Sequence, residues 1–477
     1  MKILHISAEC YPAAKAGGLG DVVGALPKYM NRIGHEVSVI IPKYQTEWIQ
    51  NQKTEKIDEG RAPYGSGDFL FQVEKVLNQD LEFALYLVDI PGRFDRAGIY
   101  IDPWSGHPYW DEMDRFFCFQ IASLEWVSNL VDLPDILHVH DHHTALIPFM
   151  KAECFRFSRM RPVPTVLTIH NGEYQGRYDK ENYLKLPAFN LDQLGLLDWD
   201  GQLNSLATGI KCAWRVTTVS EGYLNELMES FQGLETLLRD EQQKMSGLIN
   251  GIDVDVWDPS TDPHLKKNYT TRTRQSGKKA NKEALCEVFQ IHPDHPLFSF
   301  IGRLAMEKGA DLLPPIIRKA MSDELDLNIV ILGTGDPSLH QEFKKLKGNF
   351  VGYFDTRLEY NEALAHQIYA GSDFLLMPSR VEPCGLNQMY AMRYGTMPIV
   401  RATGGLADTV MDVSHEDGYG ITFDSFSLAD AMESIRRGMT LYNKKGVFSD
   451  IRKKIMNLDF SWDQAAKGYE EMYKELL

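Results

Sequence analysis

Short apolar runs separated by longer amphipathic stretches recur along the chain, and the rhythm starts twice. In the first half the runs are Ile3–Ser7, Val37–Ile41, Phe83–Val88, Asp135–His140, Thr165–His170 and Arg215–Ser220. Most are nearly continuous rather than alternating. That pattern predicts strands buried on both faces of a parallel sheet. Gly20–Met30 and Thr144–Phe157 read as the helical connections of βαβ units. In the second half the strands are expected at Leu297–Ile301, Asn328–Leu332, Phe374–Pro378, Met397–Val400 and Gly420–Phe423. The last segment, Trp462–Leu477, reads as a helix with Ser461 as its N-cap. Between the halves, Asp258 to Asn281 carries Pro259, Pro263 and Gly277 among Lys266, Lys267, Arg272, Arg274, Lys278 and Lys279. It reads as a less ordered, solvated connection. The expected architecture is α/β, two Rossmann-like doubly wound domains facing a cleft. Such sheets bind ligands beyond the carboxyl ends of their strands, so the chemistry should follow the strands.

A length of 477 residues suits two or three domains, and 44% apolar residues is ordinary for a soluble protein. No apolar run approaches the roughly 18 residues of a membrane span. The opening Met1-Lys2-Ile3-Leu4-His5-Ile6-Ser7 is too short for a signal-peptide core and reads as a first strand, so a cytoplasmic location is expected. The six cysteines form no C-x-x-C pair, which signals neither a zinc cluster nor a redox pair. A net charge of −16 argues against nucleic acid as a partner. It leaves room for a small anionic substrate gripped by a few focused cations.

Five strand-end motifs carry candidate chemistry. Lys15-Ala16-Gly17-Gly18-Leu19-Gly20-Asp21 follows the first strand. Its glycine spacing fails the dinucleotide fingerprint, since Gly24 stands where the third glycine is one position late. Gly17 and Gly18 would still let backbone N–H groups approach an anion, with Lys15 adding charge. His138-Val139-His140-Asp141-His142-His143 ends another strand. Alternation sends His138 and His140 to one face, and a polar sugar-lining strand end suits the motif better than a metal. His170-Asn171 follows the next strand. Gly302-Arg303-Leu304-Ala305-Met306-Glu307-Lys308-Gly309 places an arginine fork and a lysine before a helix whose first turn holds Pro314 and Pro315. That set suits a diphosphate. Ser379-Arg380-Val381-Glu382-Pro383-Cys384-Gly385-Leu386 offers a carboxylate to sugar hydroxyls, and Thr403-Gly404-Gly405 resembles another anion nest. No P-loop and no G-x-S-x-G elbow occurs. A diphosphate with a polar, uncharged end accounts for these motifs: a sugar nucleotide.

On these residues the sequence closely resembles the bacterial glycogen synthase and plant starch synthase family, nearly end to end. The resemblance implies a glycosyltransferase B-type fold, transfer of glucose from ADP-glucose to the non-reducing end of an α-1,4-glucan with retention, and no metal or other cofactor. It implies an acceptor (glucan-binding) domain at 1–245, a nucleotide-sugar domain at 246–457 and a terminal helix, 458–477, crossing back to the first domain. The catalytic candidates are Glu382, His170, Arg303, Lys308 and Lys15. The donor would be bound by Lys15, Gly17, Gly18, Asp21, Arg303, Lys308, Tyr360, Glu382, Cys384, Gly385, Leu386, Thr403, Gly404 and Gly405. In this scheme Arg303 and Lys308 neutralise the leaving diphosphate, Glu382 holds the glucosyl unit and Tyr360 stacks on the base. Tyr100, Asp141, His143, Asn171 and Asn250 are the acceptor and sugar candidates. The partners implied are a nucleotide sugar and an α-glucan, with neither nucleic acid nor membrane. Glu307 stands where the family usually has glutamine, and Asn387 where threonine is common. The alternatives are a UDP-glucose-using glucan synthase and a sugar-nucleotide epimerase of the same fold.

Overall fold

A computed structural model describes the chain from Met1 to Leu477, the side chain of Gln79 excepted. It divides into two compact units. The first comprises Met1–Val219, Leu224–Leu248 and Ala465–Leu477, and the second Ser220–Tyr223 and Ile249–Gln464.

The strands of the first unit are β1 (Lys2–Ile6), β2 (Glu36–Pro42), β3 (Thr54–Tyr64), β4 (Gly67–Val76), β5 (Ala84–Asp89), β6 (Ile136–His140), β7 (Thr165–Ile169), β8 (Arg177–Asp179), β9 (Asp198–Trp199), β10 (Gln202–Asn204), β11 (Arg215–Thr218) and β12 (Met245–Gly247). Nine of them form one sheet in the order β12-β11-β7-β6-β1-β2-β5-β4-β3. It is parallel from β12 to β5, and β4 and β3 continue it antiparallel. From β1 the chain steps to β2, crosses to the far edge at β3, comes back through β4 to β5, and then lays β6 against the other side of β1. That reversal is the topological switch point, where ligands sit in sheets of this kind. The last turns of the chain dock on this unit: Glu470 meets His35 at 3.0 Å, Glu475 meets Arg215 at 2.8 Å, and the Tyr473 hydroxyl lies 2.6 Å from His138 Nδ1.

The second unit holds β13 (Leu297–Ile301), β14 (Asn328–Leu332), β15 (Phe354–Arg357), β16 (Phe374–Met377), β17 (Met397–Arg401) and β18 (Ile421–Phe423), all parallel, in the order β15-β14-β13-β16-β17-β18. Its switch point lies between β13 and β16. Successive residues feed different cores. Phe298, Ile329, Ile331, Leu376 and Ile399 enter one buried cluster, while Leu297, Val330, Leu332, Leu375 and Val400 enter another. Both sheet faces are covered, which is why these strands read as unbroken apolar runs.

Three expectations are corrected. The stretch read as a solvated connection ends in a helix, Arg274–Phe289. Gly277 lets that helix close on Tyr269, whose Cβ would lie 2.2 Å from a side chain at that position. Lys278 is therefore buried, and its ammonium donates to Tyr369 O, Tyr394 O and Thr396 Oγ1 at 3.2, 3.1 and 2.7 Å. The helix expected at Thr144–Phe157 is broken into Asp141–Thr144 and Ile147–Glu153, the second opening with Pro148 in its first turn. The β3–β4 hairpin and β8, β9, β10, β12 and β15 had no predicted counterpart. Among the described residues no helix is long and apolar enough to cross a membrane.

Candidate active site

At the first switch point the chain leaves β1 and folds back on itself before the helix Gly18–Arg32. Glu9 organises this turn. Its Oε2 accepts from Ala16 N at 2.5 Å and Gly17 N at 2.9 Å, and its Oε1 from the Tyr100 hydroxyl at 2.7 Å. The glycine-rich turn is thus an anion nest in this fold, and a protein carboxylate sits in it. Lys15 pairs with Asp21 at 2.7 Å. An added Cβ at Gly17 or Gly18 would meet nothing within 4 Å, so these glycines leave open space above the turn.

His140 ends β6, and Asp141 follows it with φ +53°, a left-handed turn that aspartate tolerates better than most residues. The turn aims Asp141 Oδ1 at the backbone after β7, where it accepts from His170 N at 2.7 Å and Asn171 N at 3.3 Å. Burial pushes the Asp141 carboxyl up to about 7, against these N–H donors. Tyr100 stacks on His143 with ring centroids 4.8 Å apart. Lys15, Asp141, His143, His170, Asn171 and Tyr100 all stand around this switch point.

Behind them lies a row of buried imidazoles. His5 Nδ1 is 3.0 Å from His140 Nε2, and His140 Nδ1 is 3.0 Å from His170 Nε2. Burial holds His5 and His170 down to about 3 and keeps His138 and His140 well below the usual range. The rings are neutral, so each bond is N–H···N and the row runs in one direction. His5 Nε2 is buried without a partner. An orphaned buried N–H is rarer than an unpaired acceptor, which favours His5 donating to His140 and His140 to His170. This assignment, made from the network, leaves the proton of His170 on Nδ1. His138 and His140 both use both ring nitrogens within the protein, His138 on Tyr473 and Thr168 at 2.6 Å each. With His5 they form a group of ligand type. Glu112, His142 and His143 form another group of ligand type, with the Nδ1 atoms of both histidines unpartnered.

At the second switch point the chemistry is ionic. After β13 comes the turn Met306–Lys308 and then Gly309, at φ +66°. A Cβ on Gly309 would lie 1.9 Å from Pro378 O, so only glycine lets this loop close on the end of β16. That closure brings Lys308 to Glu382, 2.7 and 2.8 Å from its two oxygens. Ser379 Oγ adds a donor at 3.0 Å. Arg303, largely exposed, pairs with Glu307 at 2.5 Å. Asn387 Nδ2 donates to Ile301 O at 2.7 Å, tying its helix to the end of β13. Gly404 and Gly405 have a packing reason that the sequence did not show. Added Cβ atoms would lie 2.2 Å from Glu382 O and 2.1 Å from Cys384 O, and Gly405 N donates to Glu382 O at 3.0 Å. The pair braces the Glu382 loop. Burial pushes the Cys384 thiol up to about 12, so it remains a thiol, with the Asn250 backbone against it.

Glu382, Lys308, Ser379, Thr403, Gly404 and Gly405 are therefore one assembly. Asn250 belongs to this unit, beside Cys384, and the other four acceptor candidates belong to the first unit. Tyr360 is 78% exposed and follows β15, two strands out from β13. Gly385, at φ +71°, turns the chain into the helix that Leu386 precedes. Sequence reading missed Glu9 and the roles of His5 and Ser379 in these networks. The position of Glu9, just before a glycine-rich turn, was the available signal.

Two doubly wound units, each with its switch point lined by loops after the strands, have the architecture of the glycosyltransferase B-type fold. The starch synthase catalytic domain family matches residues 2–240, and the group 1 glycosyl transferases match residues 295–437. A glycogen synthase of Flavobacterium johnsoniae is 46% identical, covering 100% of this chain and 99% of its own. One from Streptococcus sanguinis is 37% identical over the whole of both chains. The catalytic domain of starch synthase IV from Arabidopsis thaliana, solved bound to ADP and acarbose, superposes with a TM-score of 0.88 at 31% identity, covering 100% of this chain and 99% of that one. The chain belongs to the glycogen and starch synthase family of glucosyltransferases.

Proposed function

We propose that this protein extends an α-1,4-glucan by moving glucose from ADP-glucose to its non-reducing end, with retention and without a metal ion. The observation that carries the donor chemistry is the Lys308–Glu382–Ser379 assembly at the second switch point. Cleaving the bond between the anomeric carbon and the diphosphate leaves negative charge on the phosphate and positive character on the ring. Lys308 and Arg303 are the cations for the first, and Glu382 is the carboxylate for the second. In this structure the groups are paired with one another, Lys308 with Glu382 and Arg303 with Glu307, so the diphosphate takes Lys308 over and frees Glu382 for the sugar. In the first unit, Tyr100, Asp141, His143 and Asn171 take the acceptor, and His170 meets the reacting sugar. The ADP bound by the Arabidopsis domain supports ADP as the leaving group. None of the six cysteines forms a disulfide among the described residues, and five are buried, which fits a reducing, cytoplasmic setting.

The test is transfer of labelled glucose onto glycogen, run with ADP-glucose and UDP-glucose in parallel and repeated in excess chelator. The reading predicts transfer from ADP-glucose at a rate that chelator leaves nearly unchanged. Faster transfer from UDP-glucose would reassign the donor. Loss in chelator restored by magnesium would overturn the metal-free step. No transfer from either donor, with conversion of the sugar nucleotide itself, would favour an epimerase.

A further inference from the structure

The row of imidazoles runs across three neighbouring strands. His5 lies in β1, His140 closes β6, and His170 follows β7. His5 and His140 are fully buried, while His170 keeps 9% of its surface exposed. Both N···N contacts are 3.0 Å, so the row is continuous from the core to the switch point. The frame around it is tight. Thr144 Oγ1 accepts from His140 N at 2.7 Å and donates to His140 O at 2.8 Å. Asp141 Oδ1 holds His170 N at 2.7 Å. His138 packs beside the row, with ring centroids 4.6 Å from His5 and 4.3 Å from His140, but its own nitrogens go to Tyr473 and Thr168.

We propose that His5 and His140 are positioning residues that act through His170, holding it protonated on Nδ1 so that it donates a hydrogen bond to an oxygen of the reacting sugar. The inference rests on the reading above, in which His170 meets that sugar. A neutral imidazole carries one N–H, and a partner on one nitrogen decides which nitrogen bears it. His170 Nε2 faces His140 Nδ1. When His140 donates there, Nε2 is an acceptor and the proton is left on Nδ1. The direction is set at the far end of the row. His5 Nε2 is buried without a partner, and an empty lone pair is tolerated there better than a stranded N–H. His5 therefore donates from Nδ1, His140 accepts on Nε2 and donates from Nδ1, and the choice made in the core reaches His170. A sugar hydroxyl can both give and accept. A ring nitrogen that only donates fixes which of the two the sugar oxygen does, and so fixes how the sugar is turned.

The test combines a spectrum with kinetics. Protein labelled with 15N-histidine gives the tautomer of each ring by long-range 1H–15N correlation, with His170 identified by its loss in His170→Asn. Wild type is expected to show His170 protonated on Nδ1. In His140→Leu the His170 proton should shift to Nε2 wholly or in part, and kcat should fall about tenfold, the scale of one hydrogen bond. Donor KM should stay within about threefold. His5→Leu should do the same more weakly, since it acts through one more ring. His140→Gln places an amide oxygen toward His5 and an amide N–H toward His170, so it should restore both the Nδ1 proton and most of kcat. Protonation of His170 on Nε2 in wild type would overturn the proposal, even if His140→Leu does not fold. So would a folded His140→Leu with kcat within twofold of wild type, or a His140→Gln that restores the tautomer without the activity. If wild type transfers glucose from neither ADP-glucose nor UDP-glucose, the glucan-extending reading fails, while the spectrum still decides whether the row sets the proton of His170.

Discussion

The two switch points share a topology and differ in chemistry. The first is lined by neutral imidazoles, the second by ion pairs. The difference follows from where the polar residues fall. His5, His138 and His140 lie within strands, wholly enclosed by sheet and helix, where a charge would be costly. Burial strips their protons and leaves directional N–H···N bonds. Arg303, Lys308 and Glu382 lie one step past their strands, on loops that keep some contact with water. There charge survives by pairing. Polar residues inside the strands of the first sheet are enclosed and neutral, and the charged residues just beyond the strands of the second are paired.

The comparison is tested most forcefully by removing an ion-pair partner that is far from the chemistry. Asp373 precedes β16, at the opposite end from Glu382, and is held by Lys282 at 2.8 Å and by Arg452. Burial pushes against its charge, but Arg452 and Lys282 keep its carboxyl below the ordinary range. Asp373→Ala is expected to cost about 3–5 kcal/mol in urea unfolding, because two cations lose their partner. A loss under about 1 kcal/mol would show that the ionic groups of this unit are not stabilised by pairing.

Glu382→Gln should lower kcat by roughly 10²–10³, the scale of one electrostatic contact in a closed site. Donor KM should change much less, as expected when an interaction strengthens in the transition state. Near-normal kcat would make the glutamate a structural brace for the loop.

The histidines predict a pH dependence for the first unit. The depressed values of His5, His138, His140, His142, His143 and His170 mean that the unfolded chain binds protons below about 6.5 that the fold refuses until far lower pH. Stability is therefore present above that point and lost as pH falls, each ring contributing up to about 1.4 kcal/mol per pH unit. Urea midpoints at pH 7.5, 6 and 5 should drop steeply. A flat profile would contradict the neutral assignment.

Asp141 has the opposite sign. With its carboxyl raised to about 7, the fold keeps a proton that the unfolded chain releases near its ordinary value of 3.8, so stability declines as pH rises through that window. Asp141→Asn keeps an acceptor for His170 N and tolerates the left-handed turn. It should gain about 1–2 kcal/mol at pH 8 and nothing at pH 4. Equal midpoints at pH 8 would mean that the fold does not penalise the ionised carboxylate and that its pKa is not raised.

How much was legible in the sequence depended on burial. Strands covered on both faces, such as Leu297–Ile301 and Asn328–Leu332, show as apolar runs and fall where the pattern placed them. The β3–β4 hairpin did not show, because most of β3 is exposed and charged, with only Ala62 buried. The helix Arg274–Phe289 hid behind its lysines, since a lysine buried on carbonyls, as Lys278 is, looks solvated in a sequence. Arg303, Lys308 and Glu382 were singled out because they follow apolar strands, and the structure pairs Lys308 with Glu382 and Arg303 with Glu307. Glu9 offered only its position before the glycine-rich turn, and its role depends on a fold that brings Ala16 and Gly17 back to it.

On the proposed reading, Glu382 holds Lys308 until the donor's diphosphate takes its place. Calorimetric titration of ADP, without sugar, into wild type and Glu382→Gln tests it directly. The glutamine variant frees the ammonium, so the account predicts ADP binding at least as tight as wild type, by up to about tenfold, in an enzyme whose turnover has collapsed. Clearly weaker ADP binding by Glu382→Gln would contradict it.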